Sequence, residues 1–345
     1  KTAVLMEAQA DFLAIEAARE GGKPLPDSKA EVARAIDGVI NCVEVLRTDS
    51  GREIPMGLNA ASLNRLAFTR KEPIGVVVAL SAFNHPLNLA VHQICPGIAA
   101  GCPVIIKPAE DTPLSCFRLV KLLIEAGMPE EYVQSCVLAD NDLTGKLIAD
   151  PRVSFLSFIG SGRVGWMLRS KLPPGARCAL EHGGVAPVII DESADLDDTL
   201  PLIAKGGFYH AGQVCVSVQK VFAPMSKARE VAERLAALAQ AMKIGDPTLD
   251  TTDVGPLIRP REVERVSQWV DAAISEGATK ICGGSPLSET AYECTVLLDP
   301  AATSQVTTSE IFGPLVCVYG YDDVDEVIHQ VNSLPYAFQA SVLSR

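Results

Sequence analysis

The stretch Pro73-Ile74-Gly75-Val76-Val77-Val78-Ala79-Leu80-Ser81-Ala82-Phe83-Asn84-His85-Pro86 sets the fold class. Residues 74–80 are a near-continuous apolar run rich in valine, the pattern of a parallel strand covered on both faces. Phe83-Asn84-His85 follows as a turn, and Pro86 opens a helix, where its fixed φ and missing N–H cost nothing. A polar turn at the carboxyl end of a buried strand is where open α/β sheets hold ligands.

Working outward, strands are expected at residues 104–106, 133–138, 153–159 and 187–190. Thr112-Pro113 starts a helix that Gly127 stops, with Leu114, Phe117, Lys121 and Ile124 at helical spacing. Alternating strands and helices with short links predict a doubly wound, Rossmann-like α/β domain. A second α/β unit is expected after Gly184, with a strand at 218–223 and helices beginning at Ser226 and spanning 262–276. Residues 245–260, rich in Gly, Pro, Asp and Thr, read as a loop. Residues 31–46 read as a helix and 51–72 as an extended polar arm. The expected domains are 1–183 and 184–345.

The composition is 48% hydrophobic and 21% charged, with a formal net charge of −12. An acidic chain is a poor partner for nucleic acid or an anionic membrane surface. No apolar run approaches the roughly 20 residues of a membrane helix. The ten cysteines form no C-x-x-C pair, so neither a metal site nor a disulfide framework is indicated, and a reducing cytoplasm is the expected compartment. Cys42, Cys95, Cys116 and Cys178 fall in apolar stretches and read as small hydrophobes. The chain opens on Lys1 and stops after the strand-like run Ala340 to Leu343, so both ends are expected to be truncated.

Chemistry-bearing residues gather in islands: Phe83 to Pro86, Gly160-Ser161-Gly162-Arg163-Val164-Gly165, Glu181-His182-Gly183-Gly184, Gly212-Gln213-Val214-Cys215 and Glu310-Ile311-Phe312-Gly313-Pro314. Each has a plain structural reading by itself. A glycine turn between strand and helix also suits a phosphate, through exposed N–H groups and the helix dipole. Its G-x-G-x-x-G pattern has Glu181 21 residues after Gly160. In an ordinary Rossmann dehydrogenase that acid would hold the adenosine ribose. That alternative leaves Asn84, Cys215 and Glu310 without a role.

The order of these islands resembles the aldehyde dehydrogenase superfamily. There a Pro-aromatic-Asn-x-Pro segment, Lys-Pro-x-Glu, Gly-Ser-x-x-x-Gly, Glu-x-Gly-Gly, Gly-Gln-x-Cys and Glu-x-Phe-Gly-Pro follow one another. The counterparts here include Lys107-Pro108-Ala109-Glu110, and the resemblance runs over essentially the whole chain. It implies a cofactor domain at 1–183, a catalytic domain at 184–345 and an oligomerisation arm at 51–72. It also implies Cys215 as nucleophile, Asn84 as oxyanion donor and Glu181 as the general base that hydrolyses a thioester. Lys107 and Glu110 would hold the adenosine ribose, with Gly160, Ser161 and Gly165 at the pyrophosphate. Glu310 would hold the nicotinamide ribose, with Phe312 beside the ring. NAD is the expected cofactor, NADP the alternative, no metal is implied, and the assembly is a homodimer or homotetramer.

Two departures stand out. Gln93 replaces the lysine often found nine residues after the oxyanion Asn, which puts a proton relay there in doubt, and Gly162 replaces the usual Thr or Ser. His85, Asn88, His92 and Tyr209 occupy positions that are often apolar tunnel walls, which suggests a polar, hydroxylated or anionic aldehyde. Two other classes stay open at this point: a cofactor-free thiol hydrolase built on Cys215, and a non-catalytic relative.

Overall fold

A computed structural model describes residues 1–336 and 338–345. The chain divides into two compact units. The first comprises Lys1–Leu13, Ala30–Ile159 and Arg163–Leu180; the second comprises Ala14–Lys29, Gly160–Gly162 and Glu181–Arg345. The division is therefore not contiguous in sequence. Ala14–Lys29 is tied to the rest of the second unit by Leu25 N–H donating to the Pro247 carbonyl at 2.7 Å and by Lys29 paired with Asp250 at 3.0 Å.

Helices α1 (Thr2–Ala8), α2 (Ala10–Gly21) and α3 (Leu25–Thr48) open the chain. Strands β1 (Glu53–Ile54) and β2 (Ala67–Phe68) form a small antiparallel ribbon within residues 51–72. Then follow β3 (Val76–Leu80), α4 (Pro86–Ala99), β4 (Val104–Lys107), α5 (Leu114–Glu125), β5 (Val133–Ser135), α6 (Asn141–Ile148), β6 (Val153–Ile159), α7 (Gly162–Arg169) and β7 (Arg177–Glu181). The sheet order is β5-β4-β3-β6-β7, with β3 parallel to both β4 and β6. Val78 and Ala79 are fully buried, as the valine run requires. Strand β5 is shorter than expected because it lies at the sheet edge, where only Val133 to Ser135 find ladder partners on β4.

Helix α4 has Pro86 at its first turn and His85 as N-cap, without a capping bond from the His85 side chain. The orphan donors at a helix start need another acceptor. Buried Glu31 of α3 supplies it, its Oε1 accepting from Leu87 N–H at 2.9 Å and Asn88 N–H at 3.0 Å. A carboxylate there also complements the helix dipole. Gln93 on the same helix is buried, and its Nε2 donates to Leu80 O at 3.1 Å and Ser157 O at 3.0 Å. The residue standing in place of a lysine thus joins α4 to β3 and β6.

The second unit contains β8 (Pro187–Ile190), α8 (Leu196–Phe208), β9 (Lys220–Pro224), α9 (Ala228–Ala241), α10 (Pro260–Ser275), β10 (Thr279–Cys282), β11 (Thr295–Leu298), α11 (Gln305–Thr308), β12 (Leu315–Tyr321), α12 (Val324–Asn332) and β13 (Ser341–Leu343). Its sheet runs β10-β11-β12-β9-β8-β13, parallel except for β10 against β11. Val221, Ala223, Val296, Leu297, Val316 and Val318 are fully buried at its centre. Helix α9 begins at Ala228 rather than Ser226, because Lys227 N–H closes a turn onto Pro224 O at 2.8 Å first. Among the described residues no helix is long and apolar enough to cross a membrane.

Candidate active site

Cys215 lies in the connection between α8 and β9. Three successive residues before it, His210 (φ 50°), Ala211 (φ 54°) and Gly212 (φ 70°), take left-handed backbone conformations. For His210 and Ala211 this costs roughly 1–2 kcal/mol each, so the surroundings must hold the turn. A β-carbon on Gly212 would overlap the Gly313 carbonyl, which only glycine avoids. Gln213 is buried and anchors the turn with both ends of its amide. Its Nε2 donates to His210 O and Pro256 O, each at 3.2 Å, and its Oε1 accepts from Ile258 N–H at 2.9 Å. His210 is wholly buried, and burial, with the nearby Lys23 charge, pushes its imidazole well below the usual histidine range.

Cys215 is half-buried. Burial pushes its thiol above the ordinary cysteine range, and the Glu181 and Glu310 carboxylates push the same way. The backbone N–H groups of Cys215 and Val216 face the sulfur and oppose that shift. Glu181 ends β7, and its carbonyl accepts from Gly160 N–H at 3.0 Å, which ties the glycine turn to the Glu-x-Gly-Gly segment. His182 Nδ1 lies 3.2 Å from Gly160 O, and a β-carbon on Gly162 would meet the His182 ring at an ordinary 3.7 Å. Glycine is therefore not sterically demanded at 162.

Glu310 sits between α11 and β12 with Phe312, which holds the left-handed φ of 48°. Burial raises the Glu310 carboxyl from 4.5 to about 7, against the lowering influence of Gly184 N–H and the Arg265 charge. Its Oε1 is buried and has no hydrogen-bond partner among the described residues. Gly184, Gly212, Val214, Glu310 and Phe312 line one narrow crevice. The second unit thus brings together Cys215, Glu181, Glu310 and Phe312, with Gly160 and Ser161 on the turn bonded to Glu181.

The other expected residues lie in the first unit, apart from Tyr209. Asn84 and His85 are buried between β3 and α4, Asn88 is buried on α4, and His92 is exposed on the same helix beside Gly38 of α3. Lys107 ends β4, largely buried, and pairs at 3.2 Å with the exposed carboxylate of Glu110. Gly165 is buried in α7. Tyr209 lines a cavity of about 350 Å³ with Asp27, Lys205, Phe208 and Met242, whose walls include neither Cys215 nor Glu310. Gln213 stands in a motif island of the sequence but was given no role there. A polar amide inside an otherwise apolar, glycine-bearing turn was the available signal. Among the described residues no group of three or more His, Cys, Asp or Glu side chains could hold a metal ion.

Each unit carries groups whose chemistry fits a nicotinamide dinucleotide. In the second the buried Glu310 Oε1, without a partner among the described residues, offers an acceptor to a hydroxyl, and in the first the Lys107–Glu110 pair presents a donor and an acceptor.

The aldehyde dehydrogenase family model matches residues 1–345. The chain is 36% identical to the 3-sulfolactaldehyde dehydrogenase of Priestia aryabhattai, over 99% of this chain and 71% of that one. Its structure resembles aldehyde dehydrogenase 21 of Physcomitrella patens, solved with the reaction product succinate (TM-score 0.95, 31% identity, 99% of this chain and 71% of that one). It also resembles the glyceraldehyde-3-phosphate dehydrogenase of Methanocaldococcus jannaschii complexed with NADP (TM-score 0.94, 30% identity, 100% of this chain and 74% of that one). The chain belongs to the aldehyde dehydrogenase family and is an NAD(P)-dependent enzyme that oxidises aldehydes to carboxylic acids.

Proposed function

We propose that this enzyme oxidises a small polar aldehyde through a covalent adduct on Cys215, with NAD as its preferred hydride acceptor. The observation that carries the reading is the turn that presents the thiol. His210, Ala211 and Gly212 hold left-handed backbone, Gly212 packs on the Gly313 carbonyl, and the buried Gln213 amide anchors the turn just before the half-buried Cys215. A thiol is an intrinsically strong nucleophile once deprotonated.

The Cys215 thiol releases its proton to solvent, and the thiolate adds to the aldehyde carbon, whose carbonyl oxygen becomes an oxyanion. The Cys215 N–H and the Asn84 amide stabilise it, a donor of this kind being worth about 3 kcal/mol. A nicotinamide held by these residues would supply the acceptor for the hydride on that carbon. The carbon–oxygen double bond re-forms, leaving a thioester on Cys215. Glu181 takes a proton from water, the hydroxide attacks the thioester, and the acid departs as the thiolate leaves. Lys107 and Glu110 hold the adenosine ribose, Gly160, Ser161 and Gly165 the pyrophosphate, and Glu310 the nicotinamide ribose, with Phe312 beside the ring. In this reading residues 1–183 bind most of the cofactor and 184–345 carry the nucleophile.

Glu110 favours NAD, since its carboxylate accepts from ribose hydroxyls and repels a 2′-phosphate by roughly 1–3 kcal/mol. His85, Asn88 and His92 favour a polar, hydroxylated or anionic substrate, and the name of the 36%-identical 3-sulfolactaldehyde dehydrogenase supports that class. Tyr209, by contrast, lines a cavity without Cys215 and does not bear on it. The arm carries Leu58, Leu66 and Phe68 exposed at 83%, 77% and 70%, which supports a homodimer or homotetramer built through it. A cytoplasmic location completes the reading.

The test is NADH or NADPH formation with sulfonated, hydroxylated and unbranched alkyl aldehydes. The expected order of kcat/KM is polar above alkyl and NAD above NADP. A steady rise from acetaldehyde to octanal refutes the substrate class, and equal or better kcat/KM with NADP refutes the cofactor preference.

A further inference from the structure

Glu310 occupies a segment without ladder bonds of its own. Helix α11 ends at Thr308, β12 begins at Leu315, and Phe312 between them holds a left-handed backbone. What fixes such a segment is the set of groups that satisfy its backbone. Gln219 is buried, four residues after Cys215 and directly before β9. Its side-chain amide spends all its bonds on this segment. Nε2 donates to Val306 O at 3.2 Å and to Ser309 O at 2.6 Å, and Oε1 accepts from Ile311 N–H at 2.8 Å. Ser309 and Ile311 are the two neighbours of Glu310. The Gln219 carbonyl in turn accepts from Cys317 N–H of β12 at 2.9 Å.

Other anchors hold one point of the segment each. Glu310 N–H reaches the Tyr336 hydroxyl at 3.3 Å, and Arg265 donates to Ile311 O at 2.8 Å. Among the described residues only Gln219 bonds the neighbours on both sides of Glu310, and it does so from the connection that carries Cys215. The Gly212–Gly313 approach is the second place where the two segments meet.

We infer that Gln219 is a positioning residue, which sets the Glu310 carboxylate against the Gly183–Gly184 turn and keeps it in register with the Cys215 loop. Its consequence for cofactor binding rests on the proposed role of Glu310. An apolar residue of equal size fills the volume but leaves the Ser309 carbonyl and Ile311 N–H buried without partners, so the segment must shift to satisfy them.

The experiment uses Gln219→Met, Glu310→Gln, the double variant and, should Gln219→Met fail to fold, Gln219→Asn, whose amide is too short to span both neighbours. NADH affinity is read by fluorescence titration, and the Gln219 variant is crystallised. The expected result is a displaced Glu310 carboxylate in the crystal structure and about tenfold weaker NADH binding from Gln219→Met alone. In the Glu310→Gln background the same change should add less than about twofold, because the coupling then has nothing to act through. An undisplaced carboxylate, or an equal loss in both backgrounds, overturns the inference. If Glu310→Gln binds NADH normally, the role proposed for Glu310 falls, while the carboxylate position in the crystal structure still decides whether Gln219 places it.

Discussion

The Glu310 carboxyl group occupies the space a side chain at Gly183 would need. A β-carbon there would overlap Oε1, Cδ and Oε2 together. Gly183 lies outside the left-handed backbone region, so its glycine is demanded by this close approach and not by conformation. Gly183→Ala must therefore push the carboxylate away. The expected outcome is a folded enzyme with NADH affinity reduced about tenfold or more, read by fluorescence titration, since a misplaced charge-assisted hydrogen bond forfeits about 1.5–3 kcal/mol. Unchanged affinity would show that the carboxylate position is immaterial to the cofactor.

The same carboxyl makes the cofactor-free protein sensitive to pH. Burial raises Glu310 from 4.5 to about 7. Between those values the folded chain keeps a proton that the unfolded chain has released, so stability falls as pH rises through the window. The full shift corresponds to roughly 3 kcal/mol, and partial solvent access lowers this to about 2 kcal/mol. Urea unfolding at pH 5 and pH 8 should show Glu310→Gln more stable than the parent at pH 8 by about that amount, and nearly equal to it at pH 5. A constant difference at both values would contradict this.

Much of this was legible because it is local. The valine run of β3, Pro86 opening α4 and the glycine turn between β6 and α7 declare themselves in a few adjacent residues. Three of the chemistry-bearing islands, Phe83 to Pro86, Gly160 to Gly165 and Glu181 to Gly184, fall at the carboxyl ends of β3, β6 and β7, where a parallel sheet leaves backbone groups free for ligands. What stayed hidden depends on pairs distant in sequence. Gln219 and Ile311 are separated by 92 residues, and Glu31 caps a helix 56 residues away. No window of sequence shows that a glutamine will be buried with its amide fully used. Ala14–Lys29 joining the second unit is hidden for the same reason, since its partners lie beyond residue 240. The shortened β5 reflects edge pairing, which apolar periodicity does not report.

Burial and two carboxylates hold the Cys215 thiol above the ordinary cysteine range. Its alkylation by iodoacetamide in the absence of cofactor should therefore climb at higher pH than that of a free cysteine. Glu181→Gln and Glu310→Gln each remove one opposing charge, so each should move the inflection down and speed alkylation at neutral pH. Peptide mapping by mass spectrometry identifies the labelled site. Slower alkylation in Glu181→Gln would instead mark Glu181 as the group that deprotonates the thiol in the resting enzyme.

Lys107 pairs with Glu110 at 3.2 Å at the end of β4, and in the proposed cofactor site the Glu110 carboxylate would repel a 2′-phosphate. Glu110→Gln should lower the discrimination between NAD and NADP, with KM for NADP falling roughly tenfold as the repulsion of about 1–3 kcal/mol is lost. KM for NAD should rise modestly, because an amide still offers an acceptor. Steady-state kinetics with both cofactors checks this. An unchanged ratio would remove Glu110 from the cofactor site.

The role of Glu181 separates the proposed mechanism from a Rossmann-type use of the same residue, since Glu181 lies 21 residues after Gly160 and its carbonyl accepts from Gly160 N–H. As general base for thioester hydrolysis, Glu181 acts after attack by Cys215 and after hydride departure. Glu181→Gln should then bind NAD with near-normal affinity and still form the thioester. Rapid mixing with aldehyde should give a burst of NADH approaching one per active site, followed by turnover slowed about a hundredfold or more, the signature of a blocked second half-reaction. A carboxylate that held the adenosine ribose would behave differently. Its loss would weaken NAD binding and leave the rate at saturating cofactor close to the parent's, with no burst above the steady state. Measuring NAD affinity and the burst on one preparation decides between the two, and weak binding with unchanged saturated turnover would sink the general-base assignment.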